Sequence, residues 1–320
     1  MRRRAFISLL GSAVAWPVTV VAQQSVLRVG FVGIQPPTSA LYSAFLKRML
    51  ELGYRNGSNF KFEYIQAAAS DDYERGYREL AARKVDIFLA VGNEPALRAA
   101  LSAAEGKPIA FLAIDFDPLA KGYVKSLAHP GGNITGIFVR QLELAAKRVE
   151  IAREVFPAAM VANILFDETS VEQRDAAAAA ARNLQLQTRL IEMAGQRNYG
   201  AALDAIGDAR GRPTILPAGP IFLRDREEIG QALLARRAPS IAAFRENTEA
   251  GTLISYGFDL IGLFGDIAGY VHQIARGAKP AEMPIEQSAR FHMAVNLKTA
   301  TALGISLPDT FVARANEVLE

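Results

Sequence analysis

The sequence predicts an α/β protein built as two successive lobes, each a parallel sheet covered by helices. Three observations predict it. Short β-branched or aromatic runs alternate with amphipathic helical stretches through most of the 320 residues, which is how βαβ units and doubly covered parallel sheets read in sequence. The alternation comes as two similar sets, divided near Gly136. The roughly 298 residues beyond the N-terminal segment also exceed what one hydrophobic core usually organises.

The elements follow in order. Met1-Arg2-Arg3-Arg4 is a basic n-region, 6–21 is mostly apolar and broken by Pro17, and Val20-Val21-Ala22 before Gln23 offers the small residue that signal peptidase needs. Residues 1–22 therefore read as a cleavable signal peptide, and the product as periplasmic. Arg3-Arg4-Ala5-Phe6-Ile7 also fits a twin-arginine core, with a general secretory signal as the other reading. This run is too short to span a bilayer, and no later segment approaches ~20 uninterrupted apolar residues, so no membrane anchor is expected. The first set then reads strand 26–34, helix 39–53, strand 59–65, helix 71–84, strand 86–91, helix 94–105 and strand 108–114. His129-Pro130-Gly131-Gly132-Asn133 is a tight turn that feeds the β-prone run 134–139, which either ends one sheet or carries the chain from one lobe to the other with Gly136 absorbing hinge rotation. The second set reads helix 142–156, strand 160–166, helix 171–184, strand 186–193, helix 199–210, strand 214–217, helix 223–237 and strands 240–244 and 252–256. A long helix over 260–276, an extended stretch over 284–294 and a helix over 297–303 close the chain, a tail that implies more than one crossing between lobes.

Composition removes several function classes. There is no cysteine, which excludes disulfides, thiolate metal sites, cysteine nucleophiles and a lipidated N-terminal cysteine. Three of the 36 Lys and Arg are Arg2, Arg3 and Arg4, leaving 33 bases against 33 acids, and a neutral product is not built for nucleic acid or an anionic membrane. His129, His272 and His292 are scattered, with no HxxxH or HExxH spacing and no compact acid cluster, so no metal site is expected. No Gly-x-Ser-x-Gly elbow or P-loop occurs, and Gly30-Phe31-Val32-Gly33 lacks the third glycine of a dinucleotide loop. The expectation is a protein that is not an enzyme and carries no cofactor.

Several motifs in order resemble the exported solute-binding proteins of ABC transporters, the family that includes the tryptophan/tyrosine-binding type. They are Leu52-Gly53-Tyr54-Arg55-Asn56-Gly57, Ser126 to Gly136, Glu249 to Gly257, Arg276-Gly277-Ala278-Lys279-Pro280-Ala281 and Val295-Asn296-Leu297-Lys298-Thr299-Ala300, together with the N-terminal Arg3 to Ile7 and Ala22-Gln23-Gln24. The resemblance covers nearly the whole chain. It implies a type I periplasmic-binding-protein fold, a venus-flytrap of two Rossmann-like lobes joined by three crossovers, with ligand in the cleft. On that reading one lobe is 23–137 plus 256–287 and the other 138–255 plus 288–320, with crossings near 134–138, 255–258 and 286–290. The implied function is the periplasmic binding component of an ABC importer, a monomer that captures a small solute and delivers it to a permease and ATPase. An amino acid or aromatic carboxylate is the leading solute; an exported sensor subunit for a chemoreceptor or kinase is the alternative.

Ligands of open α/β sheets bind outside the carboxyl ends of strands, so the residues just after each strand are the candidates. Gln35 follows the first strand, where Ser39 can cap the next helix. Asn93 and Glu94 open the helix after the third, where Asn93 is either an N-cap or part of an anion site of free amides. Asp115 and Asp117 follow the fourth in a loop similar to the family's Asp-Pro turn; Asp117 suits a cap and Asp115 a ligand ammonium or hydroxyl. Asp167 holds the matching place in the second lobe. Phe222 stands in a loop that resembles the family's Asp-Pro-Leu-Phe, to stack on a flat ligand or to pack beneath its helix. Arg245, in a segment resembling a Tyr-Arg-Glu element, suits either a ligand carboxylate or an internal pair with Glu246 or Glu249. Tyr256 and Gly257, at the last strand before the long helix, complete the candidate ligand and hinge set.

Overall fold

The computed structural model describes residues 26–193 and 199–320; the signal peptide, the twin-arginine pattern and the expected mature start at Gln23 lie outside them. The chain first runs β1 (Leu27–Gly33), α1 (Ala40–Glu51), β2 (Phe60–Gln66), α2 (Tyr73–Ala82), β3 (Ile87–Gly92), α3 (Glu94–Ala104), β4 (Ile109–Ala113) and β5 (Ile134–Phe138). It continues with α4 (Gln141–Val155), β6 (Val161–Phe166), α5 (Val171–Asn183), β7 (Gln187–Glu192), α6 (Gly200–Ile206), β8 (Thr214–Ile215), α7 (Pro220–Arg224), α8 (Arg226–Ala235), β9 (Ser240–Ala242), α9 (Arg245–Glu249) and β10 (Ile254–Phe258). Last come α10 (Leu260–Ala275), β11 (Glu286–Gln287), β12 (Phe291–Asn296), α11 (Leu297–Leu303), α12 (Asp309–Val312) and β13 (Glu317–Leu319).

These strands form two sheets, in the orders β11-β5-β4-β3-β1-β2 and β13-β12-β10-β9-β8-β6-β7. Every pairing is parallel except β10 with β12. Parallel sheets need both faces covered, and β4 is buried at every residue and β3 at all but its last. Helix caps fix where the chain turns back. Ser39 Oγ accepts from the Leu41 amide at 3.3 Å, as its position predicts, and Asp259 accepts from Gly262 at 3.0 Å to start α10.

The expected three crossings are present. The chain leaves the first sheet after β5, returns after β10 to lay α10 against α1, β4 and β5, and crosses finally between β11, paired with β5, and β12, paired with β10. β10 is bonded in the second sheet along its full length, through Phe258 opposite Phe291. Gly136 and Gly257, the two expected hinges, share a tight backbone position. A Cβ would lie 1.9 Å from the Phe111 carbonyl oxygen at Gly136 and 1.9 Å from that of Ala243 at Gly257. At both, the neighbouring strand comes too close for any side chain.

Helices α9 and α12 and strand β13 are additional to the sequence reading, and two expected elements differ from it. The single helix expected over 223–237 begins at Pro220 and is broken at Asp225, whose backbone leaves the helical region and whose carboxylate takes Arg224 at 2.5 Å and the Tyr199 hydroxyl at 2.6 Å. The extended stretch over 284–294 is two short strands, one in each sheet, because the third crossing divides it.

Candidate functional site

The carboxyl ends of both sheets face each other across one cleft with three connected chambers. The outer chamber, about 720 Å³, runs from Ser70, Tyr73, Glu94, Arg98 and Lys121 on one side to Glu168, Thr169, Glu172 and Gln173 on the other. An inner chamber of about 70 Å³ is walled by Phe31, Tyr42, Tyr73, Phe244, Leu260 and Phe264, and closed by the loop Ala218-Gly219-Pro220. A third, about 240 Å³, lies between Asn93 and the Asp167 to Thr169 loop. Two contacts tie the rims: Arg224 donates to the Ala68 carbonyl at 2.5 Å, and Lys121 bridges Glu94 at 3.2 Å and Glu172 at 3.1 Å.

Asp115 borders the outer and inner chambers and Asn93 the inner and third, so these two residues stand where the chambers meet. Strand register puts them there, because β3 and β4 pair Gly92 with Ala113 and the chain beyond each strand emerges at the same edge. The sequence suggests Asn93 as a helix cap, yet its side chain makes no cap bond. It is 3% exposed and both its amide oxygen and amide nitrogen lack a partner; Asp115 Oδ1 is likewise sealed and unpartnered. Buried polar groups are paired in the great majority of cases, and of the buried atoms without a protein partner these three belong to the two residues that stand where the chambers meet. Burial, with Glu172, Glu94 and Asp167 adding repulsion, pushes the Asp115 carboxyl up to about 7 despite a bond from its own backbone.

The other expected residues divide. Gln35 is buried in the inner wall. Glu94 faces the outer chamber; burial opposes its charge, but the Tyr123 hydroxyl at 2.7 Å and Lys121 hold it below the ordinary carboxylate range. Asp167 lines the third chamber and accepts from Ser170 Oγ at 2.6 Å and Thr169 Oγ1 at 3.0 Å. Asp117 accepts from the amides of Leu119 and Ala120 at 2.8 and 3.1 Å, the capping role its position suits. Phe222 packs fully buried among Leu216, Ile229 and Leu233 rather than bordering a chamber. Arg245 is held by Glu317, with Nη2 to Oε1 at 2.7 Å, and by Glu249 at 3.0 Å, and borders none of the three chambers. Tyr256 stacks on Phe291 at 6.2 Å between centroids and is also set apart from them.

Sequence reasoning passed over Tyr73, Lys121, Glu172 and Gln173. Tyr73 begins α2 after β2, a strand end that carries the same topological signal as the others. Gln173 clamps the inner wall, accepting from the Ala218 amide at 2.8 Å and donating to the Ala218 carbonyl at 2.7 Å.

The charge of the cleft is uneven. Asp71, Glu74, Glu94, Asp115, Glu168 and Glu172 border the outer chamber against Arg98 and Lys121, and Asp71, Asp167, Glu168 and Glu192 border the third against Arg224. Among the described residues no group of three His, Asp or Glu is placed to hold a metal ion, and no helix is long and apolar enough to cross a membrane. What the arrangement offers is enclosure, charge and unpaired hydrogen-bonding groups, which is binding chemistry.

Comparison with known proteins agrees with that geometry. Residues 34–319 match the model of a family described as ABC transporter substrate binding protein. A tyrosine-binding protein of Clostridioides difficile (strain R20291) is 22% identical over 84% of this chain and 77% of its own. A crystal structure of a conserved domain protein from Vibrio cholerae O1 biovar El Tor superposes with a TM-score of 0.82 at 22% identity, covering 92% of this chain and all of that one. A crystal structure titled as an ABC domain in complex with L-Trp, from Streptococcus pneumoniae, gives 0.78 at 20% identity, covering 91% of this chain and all of that one.

Proposed function

The chain belongs to the ABC transporter substrate-binding protein family, and from that premise we propose that it holds an amphipathic solute at the junction of Asn93 and Asp115. At the level of the family it is an extracytoplasmic binding component of an ABC importer, not an enzyme, and takes a small ligand in the cleft between its lobes. The family implies a permease and an ATPase as partners. The observation that carries the finer reading is the buried, unpartnered amide of Asn93 together with the sealed, unpartnered Oδ1 of Asp115 at the chamber junction, beside an inner wall of Phe31, Tyr42, Phe244 and Phe264 suited to an apolar or aromatic group.

Of the two solute classes expected from the sequence, the cleft favours an amino acid over an aromatic carboxylate, since Asp115 offers an ammonium its counter-charge and no basic side chain borders the inner chamber. The names of the tyrosine-binding relative and of the L-Trp complex make aromatic amino acids the first to try. The solute touches both lobes, through Asn93 and Asp115 on one side and the Ala218 to Pro220 loop on the other, and those added contacts favour closure. Moving a 1:99 closed population to 99:1 takes about 5.5 kcal/mol of differential binding. The lobe boundaries 23–137 with 256–287 and 138–255 with 288–320, the monomeric state, and export by cleavage after Ala22 through the general or the twin-arginine route are part of the same proposal.

A thermal-shift screen of amino acids, amines, aromatic acids and sugars tests it. A true solute at about 100 times its Kd adds about 2.7 kcal/mol of stability. Asn93→Ala should abolish the response to that solute while the protein stays folded; an undiminished response would place the site elsewhere.

A further inference from the structure

The solute-binding reading leaves open which charge on the solute the cleft recognises, and its walls carry an answer. Asn93 is buried to 3% exposure with both amide atoms unpartnered, and Asp115, whose Oδ1 is likewise sealed and unpartnered, lines the same chamber. Gln35, Asn93 and Asp115 are the polar side chains of the inner wall apart from its tyrosines, and none of them is basic. Of the two bases on the outer chamber, Lys121 is already engaged by Glu94 and Glu172. A carboxylate brought to this junction would find the Asn93 amide nitrogen but also the Asp115 carboxyl and the acids around it, while an ammonium would meet the Asp115 oxygen and the Asn93 amide oxygen, both without a partner among the described residues.

We propose that the cleft is built around a cation: an organic amine whose ammonium sits between Asp115 and Asn93, its apolar or aromatic part against the inner wall, with a carboxylate on the solute adding little to affinity. The proposal rests on the solute-binding reading and narrows its substrate class from amino acids to amines. The groups facing Asp115 are Glu94, Glu172 and Asp167, which oppose its ionisation, Tyr73 from α2, and Arg98 and Lys121 across the outer chamber. With the Asp115 carboxyl at about 7, an incoming ammonium displaces its proton, so amine affinity rises with pH through neutrality. A solute bound by its carboxylate would favour protonated Asp115 and bind more weakly as pH rises.

Calorimetric titration with sets that share one side chain separates the cases: tyrosine, tyramine and 3-(4-hydroxyphenyl)propionate; tryptophan, tryptamine and indole-3-propionate; and leucine with its amine and acid. The amine of at least one set is expected to bind within about tenfold of its amino acid or tighter, the acid about 100-fold more weakly, and the amine more tightly at pH 8 than at pH 6. Asp115→Asn should weaken the amine about 100-fold in a protein whose unfolding remains cooperative. An amino acid that binds while its amine fails overturns the proposal, as does amine binding indifferent to Asp115→Asn. Binding by acids or sugars alone also overturns it yet leaves the solute-binding reading standing, whereas failure of every charge class counts against both.

Discussion

Replacing Arg148 by methionine should make this protein more stable, although it deletes two hydrogen bonds. Arg148 projects from α4 and is 0% exposed. Its Nη1 donates to the Tyr256 carbonyl at 3.2 Å and its Nη2 to Gln173 Oε1 at 3.4 Å, both long, while Nε has no partner. Among the described residues no carboxylate pairs with it. Burial draws its pKa from the ordinary 12.5 to about 9, which at about 1.36 kcal/mol per decade is a penalty on the order of 5 kcal/mol for keeping it charged. Against that stand two weak hydrogen bonds, together about 2 to 3 kcal/mol. Gln173 Oε1 keeps the Ala218 amide at 2.8 Å when the arginine is gone, and methionine, unbranched and adaptable, fills most of the space.

The balance is a gain of about 2 kcal/mol, or about 5 °C in Tm for a chain of this size. Linkage fixes the pH signature. A base whose folded pKa is depressed bears its full penalty below that pKa, so the gap between variant and wild type is flat from about pH 6 to 8 and narrows above pH 9. Urea denaturation at about pH 7 and at about pH 10 measures it, with m-values checked for equality. A variant less stable than wild type by more than about 1 kcal/mol at pH 7 would show that the two hydrogen bonds outweigh desolvation, and would refute the reasoning.

Other perturbations test the site and its frame. Asp115 has a raised folded pKa, so the empty protein should lose stability as pH rises from about 4 through about 7; Asp115→Asn should unfold at higher temperature than wild type at pH 8 and at the same temperature at pH 4, and a gap constant across this range would remove Asp115 as its source. Gly136→Ala should cost at least about 3 kcal/mol in urea denaturation, because its Cβ would lie 1.9 Å from the Phe111 oxygen where β4 and β5 pair; a loss under about 1 kcal/mol would mean that the strands part easily. Arg245→Ala should leave solute affinity within about threefold and lower stability by about 1 kcal/mol, since Glu317 and Glu249 already hold the guanidinium. Calorimetry that finds a hundredfold loss would instead return this residue to the site.

The architecture was readable because strands buried on both faces leave unbroken apolar runs, as β3 and β4 do. β11 leaves no such trace: its two residues, Glu286 and Gln287, are both exposed, and only the register of the whole sheet makes them a strand. Candidate ligand residues were legible as positions after strands and not as orientations. Asn93 and Phe222 both belong to segments that follow a strand, yet one borders the chambers and the other packs into the core. Successive helical residues are about 100° apart, so small offsets decide between cleft and core. Arg148 did leave a signal in the sequence, since it lies on the same stripe of α4 as the buried Leu144, Ala145, Val149, Ile151 and Ala152. A charge on an apolar stripe is a buried charge wherever the helix packs.

Charge also says how the cleft can close on an amine and open without one. The rim bonds from Arg224 to Ala68 and from Lys121 to Glu172 are partly exposed and worth at most about 1 kcal/mol each, well short of the roughly 5.5 kcal/mol a full population shift takes. Closing on an empty site brings Glu172 and Asp167 of one lobe toward Asp115 of the other, and these are among the groups that raise its pKa. Above about pH 7, where Asp115 is ionised, repulsion between lobes therefore adds to the cost of burying its charge and opposes closure until a positive charge sits at the junction. An ammonium cancels that repulsion and pairs the open groups of Asn93 and Asp115 in one step, so its differential affinity for the closed form exceeds what the rim contacts supply. Above about pH 7 a solute without positive charge would leave that repulsion in place or force Asp115 to take up a proton, however well its apolar part filled the inner chamber.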